Sequence, residues 1–275
     1  MTQTILITGC SSGIGYHTAL ALKNRGYRVF TTARKASDIE KLKAQGLEAL
    51  ALDINDSASI QQVLQEILQR TGGSLSAVFS NAGFLEAGAI EDLSRDVIRA
   101  QFETNVFGAM ELITRIIPIM RQQGHGRIIV NSSILGIVTI PYCGAYNASK
   151  FALEGFIRTL RQELYATPIR VSIIAPGPIT SELRKNAYQL YHQHLKNQPS
   201  TYAKEYQQLE KYYFHAAAKN ALALEPEAVT KKLIHALESR HPKVHYYIGF
   251  TAHLLAFLRR ILPDAMLDWA LRKTR

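Results

Sequence analysis

The stretch TILITGCSSGIG, residues 4–15, decides the fold. Thr4-Ile5-Leu6-Ile7-Thr8 is a short, almost continuous run of β-branched and large apolar residues, the pattern of a strand covered on both faces. Gly9, Gly13 and Gly15 follow at the spacing G-x-x-x-G-x-G, with Ser11, Ser12 and Ile14 between them. Helical periodicity then runs over 13–24. Glycines at a strand-to-helix turn let backbone amides approach a pyrophosphate, which sits at the helix N-terminus. Alone, such a turn is only a tight loop; its meaning depends on what surrounds it.

Outward from it the same alternation repeats. YRVFTT (27–32), LEALAL (47–52), SAVFS (76–80), RIIVNS (127–132) and IRVSIIA (169–175) read as strands, and HYYIG (245–249) as a last one. Segments 13–24, 56–70, 98–122 and 145–165 carry apolar residues at helical spacing. Strand–helix alternation of this kind predicts an α/β, doubly wound parallel sheet. No repeat or linker divides residues 1–275, which reads as one domain.

The 275 residues carry 32 Lys and Arg against 22 Asp and Glu, with 47% apolar residues, which excludes a disordered chain. Cys10 and Cys143 are too few for a disulfide framework or a multi-cysteine zinc site, and the histidines show no ligand spacing, so no catalytic metal is expected. A reducing, cytoplasmic setting is the expectation. MTQTILIT lacks the charged start and cleavage site of a leader, and no apolar run is long enough to span a bilayer. Residues 228–275 hold nine Lys or Arg against Glu238, Asp264 and Asp268. Without a reader motif this predicts a solvated face and a basic tail, with no nucleic-acid partner.

The second strand ends in Thr31-Thr32-Ala33-Arg34-Lys35, where dinucleotide folds often place an acid for the adenosine ribose. An acid there repels a 2′-phosphate, whereas Arg34 can grip one through a forked contact. The cofactor expected is therefore NADP(H) rather than NAD(H), with Ser11 or Ser12 adding a hydroxyl.

Tyr146-Asn147-Ala148-Ser149-Lys150 opens the helix after the fifth strand. Residues four apart share a helix face, so Tyr146 and Lys150 point the same way. A phenol near pKa 10 is a poor base at neutral pH; a cation about 4 Å away is worth roughly three pKa units at an effective dielectric of 20. Ser133 closes the fifth strand, where parallel sheets place ligand-facing ends. Its neighbour Ser132 competes for that role, and adjacent strand residues point oppositely, so only one can serve. Asn81-Ala82-Gly83 ends the fourth strand. Asn105 sits within a helical stretch, where Asn needs a hydrogen-bonding reason, structural or functional.

With these motifs in hand, the chain resembles the short-chain dehydrogenase/reductases over about residues 4–180. The shared signatures are TGCSSGIG (8–15), Asp53, NAG (81–83), Asn105, Ser133, YNASK (146–150) and APGPI (175–179). The resemblance implies a seven-stranded Rossmann sheet and hydride transfer between NADP(H) and a carbonyl or alcohol. It implies Tyr146 as general acid/base, Lys150 on the nicotinamide ribose, Ser133 orienting the carbonyl and Asn105 holding a proton-relay water. Asp53 would contact adenine, Asn81, Ala82 and Gly83 the middle of the cofactor, and Pro176, Gly177 and Ile179 the nicotinamide. The family often has Thr two residues after the Ile179 position; here Ser181 stands there with Thr180 beside it, and either hydroxyl can be the one that reaches the cofactor. Similarity to 17β-hydroxysteroid and retinol dehydrogenases and to bacterial NADP-dependent aldehyde reductases implies a sizeable apolar carbonyl or alcohol substrate and a homodimer or homotetramer. The intact tetrad argues against the other class of reading, a catalytically silent NADP(H)-binding regulatory protein.

Two segments lie outside the alternation. Residues 181–226 are mostly polar but carry Tyr188, Tyr191, Tyr202, Tyr206, Tyr212, Tyr213 and Phe214, and read either as a helical substrate lid or as two surface helices. Glu225-Pro226-Glu227 looks like a helix start. In the basic tail 250–275, FTAHLLAFLRRIL (250–262) is too short to cross a bilayer. Packing on its own domain or in an oligomer interface is preferred there to contact with a membrane surface. Cys10, in the glycine turn, reads as a small residue that fits rather than a nucleophile; Cys143 lies just before the catalytic helix.

Overall fold

Side chains alternate across each strand, and in this chain both faces are apolar, so both must be covered. The computed structural model describes residues 3–211 and 222–272. Its seven strands are β1 (Thr4–Ile7), β2 (Arg28–Ala33), β3 (Glu48–Ala51), β4 (Ala77–Ser80), β5 (Gly126–Asn131), β6 (Ile169–Pro176) and β7 (His245–Ile248). They form one sheet in the order β3-β2-β1-β4-β5-β6-β7, parallel throughout, with Ile5 paired to Val29 on one side and to Ala77 on the other. Every strand read from the sequence is present, displaced by at most two residues at an end. The architecture is a Rossmann-type single domain.

The described helices are α1 (Gly13–Asn24), α2 (Ala36–Ala44), α3 (Ser57–Thr71), α4 (Arg95–Phe102), α5 (Ala109–Gln123), α6 (Gly144–Glu163), α7 (Leu183–His194), α8 (Ala203–Leu209), α9 (Glu227–Glu238), α10 (Phe250–Ile261) and α11 (Asp264–Arg272). On one face of the sheet Leu6, Phe30, Val78 and Ile128 meet Ile60 and Leu64 of α3, Ile113 and Ile116 of α5, and Leu153 and Ile157 of α6. On the other, Ile5, Ile7, Val29 and Phe79 meet Leu22 of α1, Leu42 of α2, and Val229 and Leu233 of α9. The odd–even split between Leu6 and its neighbours Ile5 and Ile7 makes the doubly wound sandwich. The chain reverses direction across the sheet between β1 and β4, and such a switch point opens a crevice at the carboxyl ends of the strands.

The stretch read as one helix over 98–122 is different in detail. It begins at Arg95, with Ser94 capping through its hydroxyl to the Val97 amide, and passes through a π-helical turn over Glu103–Gly108 before α5. At Gly108 a Cβ would lie 2.1 Å from the Ile54 carbonyl oxygen, so glycine is what lets this turn press against the loop after β3. The helix start expected at Glu225-Pro226-Glu227 is present, with Pro226 as the cap of α9. Tyr212, Tyr213 and Phe214 lie outside the described residues.

Candidate active site

The glycine turn meets the end of β4 in a set of close backbone contacts. A Cβ on Gly15 would sit 2.3 Å from the Gly9 carbonyl oxygen and 2.8 Å from Asn81 Nδ2. Gly9 and Gly13 have φ of +71° and +58°, which side-chain-bearing residues rarely adopt. Ser12 caps α1 in extended conformation without a side-chain bond to the helix amides, leaving that helix end open to an anion. The Thr8 hydroxyl accepts from the amides of Asn81 and Ala82, both at 2.9 Å, and Asn81 Nδ2 donates back to the Thr8 and Gly9 carbonyls. Thr8 thus ties the turn to Asn81-Ala82-Gly83, a role the sequence did not reveal because its partner lies 73 residues away.

The network continues toward α6. Asn131 Nδ2 donates to Asn81 Oδ1 at 2.9 Å, and Lys150 Nζ donates to the Asn131 carbonyl at 2.9 Å. Tyr146 and Lys150 are both buried on the same face of α6, with Nζ 5.7 Å from the Tyr146 ring centre. Asn105 lies in the π-helical turn, a widening frequent at functional sites. Its amide donates to the Phe84 carbonyl and to Ser149 Oγ, and its Oδ1 accepts from the Phe84 amide. Asn105 therefore braces the segment after Gly83 against α6.

Ser132 and Ser133 have different surroundings. The Ser132 hydroxyl and the Glu154 side chain converge on Gly136, in the turn after β5. Ser133 Oγ accepts from the Leu135 amide at 3.1 Å, and its own proton has no partner among the described residues, which leaves it able to donate. Thr180 and Ser181 are also distinguished: the Thr180 hydroxyl donates to Glu225, whereas Ser181 Cβ lies 3.2 Å from where a Gly13 Cβ would be. Both border a cavity of about 600 Å³ between the glycine turn and α2, lined also by Ser11, Ser12, Gly13 and Lys41. Arg34 is exposed beyond β2 and does not line that cavity, while Lys41, which the sequence reading passed over, does. Asp53 is exposed after β3, its carboxylate accepting from the Asn55 amide. Pro176 ends β6, and Gly177 and Ile179 follow, held by bonds to Ile248 and a bridge to Leu224.

Electrostatics concentrate beneath the lysine. Lys150 is only 5% exposed, and burial pulls it down to about 8, with Glu154 one turn later opposing the shift. Glu154 is itself 3% exposed. Burial pushes its carboxyl up, but His245 at 2.7 Å, the Ser132 hydroxyl and Arg158 more than offset this and hold it below the usual range. Both thiols are buried, and burial pushes each up to about 12, so neither Cys10 nor Cys143 is a nucleophile in this state. Among the described residues no group of three His, Cys, Asp or Glu side chains is placed to hold a metal ion.

Over Tyr146 lies a layer built by α7 and α8. Two tyrosines of the segment read as a lid or as surface helices, Tyr191 and Tyr206, are buried in one cluster with Tyr146, Leu85 and Cys143. The polar look of 181–211 hid this, because it places few apolar residues among many charged ones. The Tyr206 hydroxyl donates to Asp92 and accepts from the Ala89 amide. Tyr142, at φ +61°, sets its ring edge-on to Tyr202 and close to Tyr206; a non-glycine residue there stores about 1–3 kcal/mol, held by its surroundings.

The short chain dehydrogenase family model matches residues 3–191. The chain belongs to this family. It is an oxidoreductase of the short-chain dehydrogenase type. An uncharacterized Escherichia coli oxidoreductase, YbbO, is 35% identical over 98% of this chain and 93% of its own. A 3-ketodihydrosphingosine reductase of Bacteroides thetaiotaomicron is 32% identical over 98% and 97%. A Streptomyces avermitilis short-chain dehydrogenase structure superposes with a TM-score of 0.79 at 26% identity, covering 100% of this chain and 98% of that one. The same fold is seen with NADP in a Burkholderia cenocepacia enzyme (TM-score 0.75, 21% identity, 98% and 97% covered) and with NAD in one from Burkholderia phymatum (0.76, 24%, 94% and 92%).

Proposed function

We propose that the protein is an NADP(H)-dependent oxidoreductase that interconverts an apolar carbonyl and its alcohol, with Tyr146 as general acid/base. The observation that carries this reading is the hydrogen-bonded path Gly9–Asn81–Asn131–Lys150, which fixes the glycine turn and the Tyr146 face of α6 in one frame. A nicotinamide dinucleotide fits the residues present: the turn is kept free of side chains, and the capping end of α1 is open. Gly9, Ser11, Ser12, Gly13, Ile14 and Gly15 would take its phosphates, Asp53 its adenine, Asn81, Ala82 and Gly83 its middle, and Pro176, Gly177, Ile179 and Ser181 its nicotinamide. When bound it supplies the hydride. Absence of an acid after β2, together with Arg34 and the cavity-lining Lys41, favours a 2′-phosphate.

The side chains then divide the work. Ser133 donates its free proton to the carbonyl oxygen and holds it beside Tyr146. Tyr146 gives its proton to that oxygen in reduction and recovers it in oxidation. Lys150, charged, stabilises the phenolate formed on Tyr146 and holds the ribose. Asn105 keeps the Gly83–Phe84 segment and Ser149 in register with them. The aromatic layer of Tyr142, Tyr191, Tyr202 and Tyr206 supports an apolar substrate of some size, as does the name of the sphingoid-base relative. Exposed Phe107, Phe151 and Phe156 support a homo-oligomer, and two free thiols support a cytoplasmic location.

The test is NADPH oxidation against aliphatic aldehydes, retinal and keto-steroids, with NADH as control and Tyr146→Phe in parallel. Turnover that prefers NADPH and falls about 10²–10⁴-fold in the variant is expected. Arg34→Ala and Lys41→Ala should each narrow the preference for NADPH. Tight NADPH binding without turnover on any substrate would replace the enzyme reading with that of a cofactor-binding regulator.

A further inference from the structure

A second cavity, of about 540 Å³, opens between α6, β7, α10 and the turn that follows Ser133. Its volume falls within the range of small-molecule sites, roughly 300–1,000 Å³. Tyr146, Lys150 and Ser133 do not line it, and it shares no residue with the cavity beside the glycine turn. Ile137, Phe151 and Ala256 make part of its wall apolar. Glu154 and Arg158 of α6, Tyr247 of β7 and Arg260 of α10 bring charge and hydrogen-bonding groups to it.

Much of this charge is already committed. Glu154 Oε2 lies 2.7 Å from His245 Nε2 and accepts from Arg158 Nε at 3.1 Å. Arg259, also on the wall, donates to Asp264 at 2.7 Å. Three groups remain open. Arg260 forms no hydrogen bond or ion pair among the described residues, and the Tyr247 hydroxyl forms no hydrogen bond among them. Arg158 has Nη2 3.4 Å from His245 Nε2 and keeps Nη1 without a partner among the described residues. The charges of α6 and α10 meet at Tyr247. Burial and Glu154 push its phenol up while Arg158 and Arg260 pull it back, so the hydroxyl keeps its proton at neutral pH. With His245 neutral, Arg158, Arg259 and Arg260 outnumber Glu154 and Asp264 by a single positive charge. One negative charge balances that; a second would face the Glu154 carboxylate.

Gly155 is an independent sign. It stands inside α6 with ordinary helical backbone, and a Cβ there would meet nothing within 4 Å. Glycine is less favourable than alanine in a helix interior, and no packing within this chain asks for it here. It lines the cavity, and its missing side chain keeps that wall clear.

We propose that this cavity binds a small organic monoanion, a carboxylate on an apolar body, with the carboxylate held by Arg158, Arg260 and the Tyr247 hydroxyl and the body lying over Ile137, Phe151 and Ala256. Guanidinium nitrogens take a carboxylate through charge-assisted bonds, and a protonated phenol adds a further donor. The apolar wall separates such a ligand from an inorganic anion. The site does not rest on the proposed reaction, because binding is read without turnover.

Octanoate is the probe, titrated by calorimetry into the full-length protein, with acetate, octanol and inorganic phosphate as controls. One octanoate per chain is expected. Acetate keeps the charge without the body and octanol the body without the charge, so each should bind about ten-fold more weakly or worse. Arg260→Gln should weaken octanoate about ten-fold and Tyr247→Phe about five-fold. Gly155→Leu should abolish binding without lowering the melting temperature, because it replaces a helix glycine; it decides the matter if Arg260→Gln proves unfolded. Failure of the unmodified protein to bind octanoate overturns the proposal, as does binding that survives both Arg260→Gln and Gly155→Leu. Octanol binding as tightly as octanoate reduces the site to a plain apolar slot, and phosphate binding more tightly assigns it to an inorganic anion; either result overturns the proposal. So does a protein that ignores octanoate and loses self-association in Gly155→Leu, which gives the cavity to a second copy of the chain.

Discussion

Glu154→Gln removes one negative charge from beneath Lys150 while keeping the side chain's shape. The two residues stand one helical turn apart, about 6 Å between Cβ atoms. At an effective dielectric of 20, unit charges at that spacing interact by about 2.8 kcal/mol, or about two pKa units. Lys150, near 8 with Glu154 ionised, falls toward about 6 without it. On the proposed mechanism the protonated lysine is the working form, so it is present below its pKa and lost as pH rises through it. At pH 7.5 the charged fraction drops roughly 25-fold. The pH profile of kcat/KM for NADPH reports groups in the cofactor-free enzyme, which is the state described here. Its alkaline limb, near pH 8 in the wild type, should move down by about two units in Glu154→Gln and stay in place in Glu154→Asp. His245 and Arg158 also face the carboxylate, and His245→Gln should move the limb a smaller distance in the same direction. Superimposable limbs in wild type and Glu154→Gln would refute the coupling, as would an equal shift in Glu154→Asp.

Other consequences follow from single contacts. Thr8→Val leaves the Asn81 and Ala82 amides without their acceptor and should lower stability by about 2 kcal/mol, read as a denaturant midpoint, with weaker NADPH binding by fluorescence. Gly15→Ala drives a Cβ into the Gly9 carbonyl and should abolish NADPH binding while Tyr206→Phe leaves it intact. Tyr206→Phe removes the hydroxyl held by Ala89 and Asp92, so KM for a bulky apolar substrate should rise more than kcat falls. Cys10 and Cys143, raised to about 12 in the folded state, ionise near 9 when unfolded. Their stabilising contribution is complete below pH 9 and declines as pH climbs toward 12, by about 1.4 kcal/mol per thiol per unit. Neither thiol should react with a disulfide reagent at pH 8 until the protein unfolds, and a native-state reaction would contradict their burial.

The sheet was legible because its strands are covered on both sides, and continuous apolar runs such as Ile5-Leu6-Ile7 and Ile128-Ile129-Val130 have no competing explanation between amphipathic helices. Local geometry was legible as well, as in Tyr146 and Lys150 sharing a face of α6 and the glycines of the first turn. Long-range pairings were not. Thr8 with Asn81, Asn131 with Asn81 and Glu154 with His245 join residues 50 to 91 positions apart, and no local pattern encodes them. The π-helical turn at Asn105 escaped because one inserted residue barely disturbs helical periodicity. Lys41 was passed over because a lysine on an exposed helix looks like any other; only the cavity beside it sets it apart. On α10 the sequence displayed an apolar helix, but only the packing showed which half of its circumference the domain covers.

The path from Gly9 through Asn81 and Asn131 to Lys150 is complete before any ligand arrives. The frame that would receive the cofactor therefore does not have to be assembled on binding, and little ordering entropy is lost there. Affinity and rate at this edge are inherited from the folded chain itself, so a change anywhere along the path is felt at its far end. α7, α8, α10 and α11 hang from the frame without belonging to it.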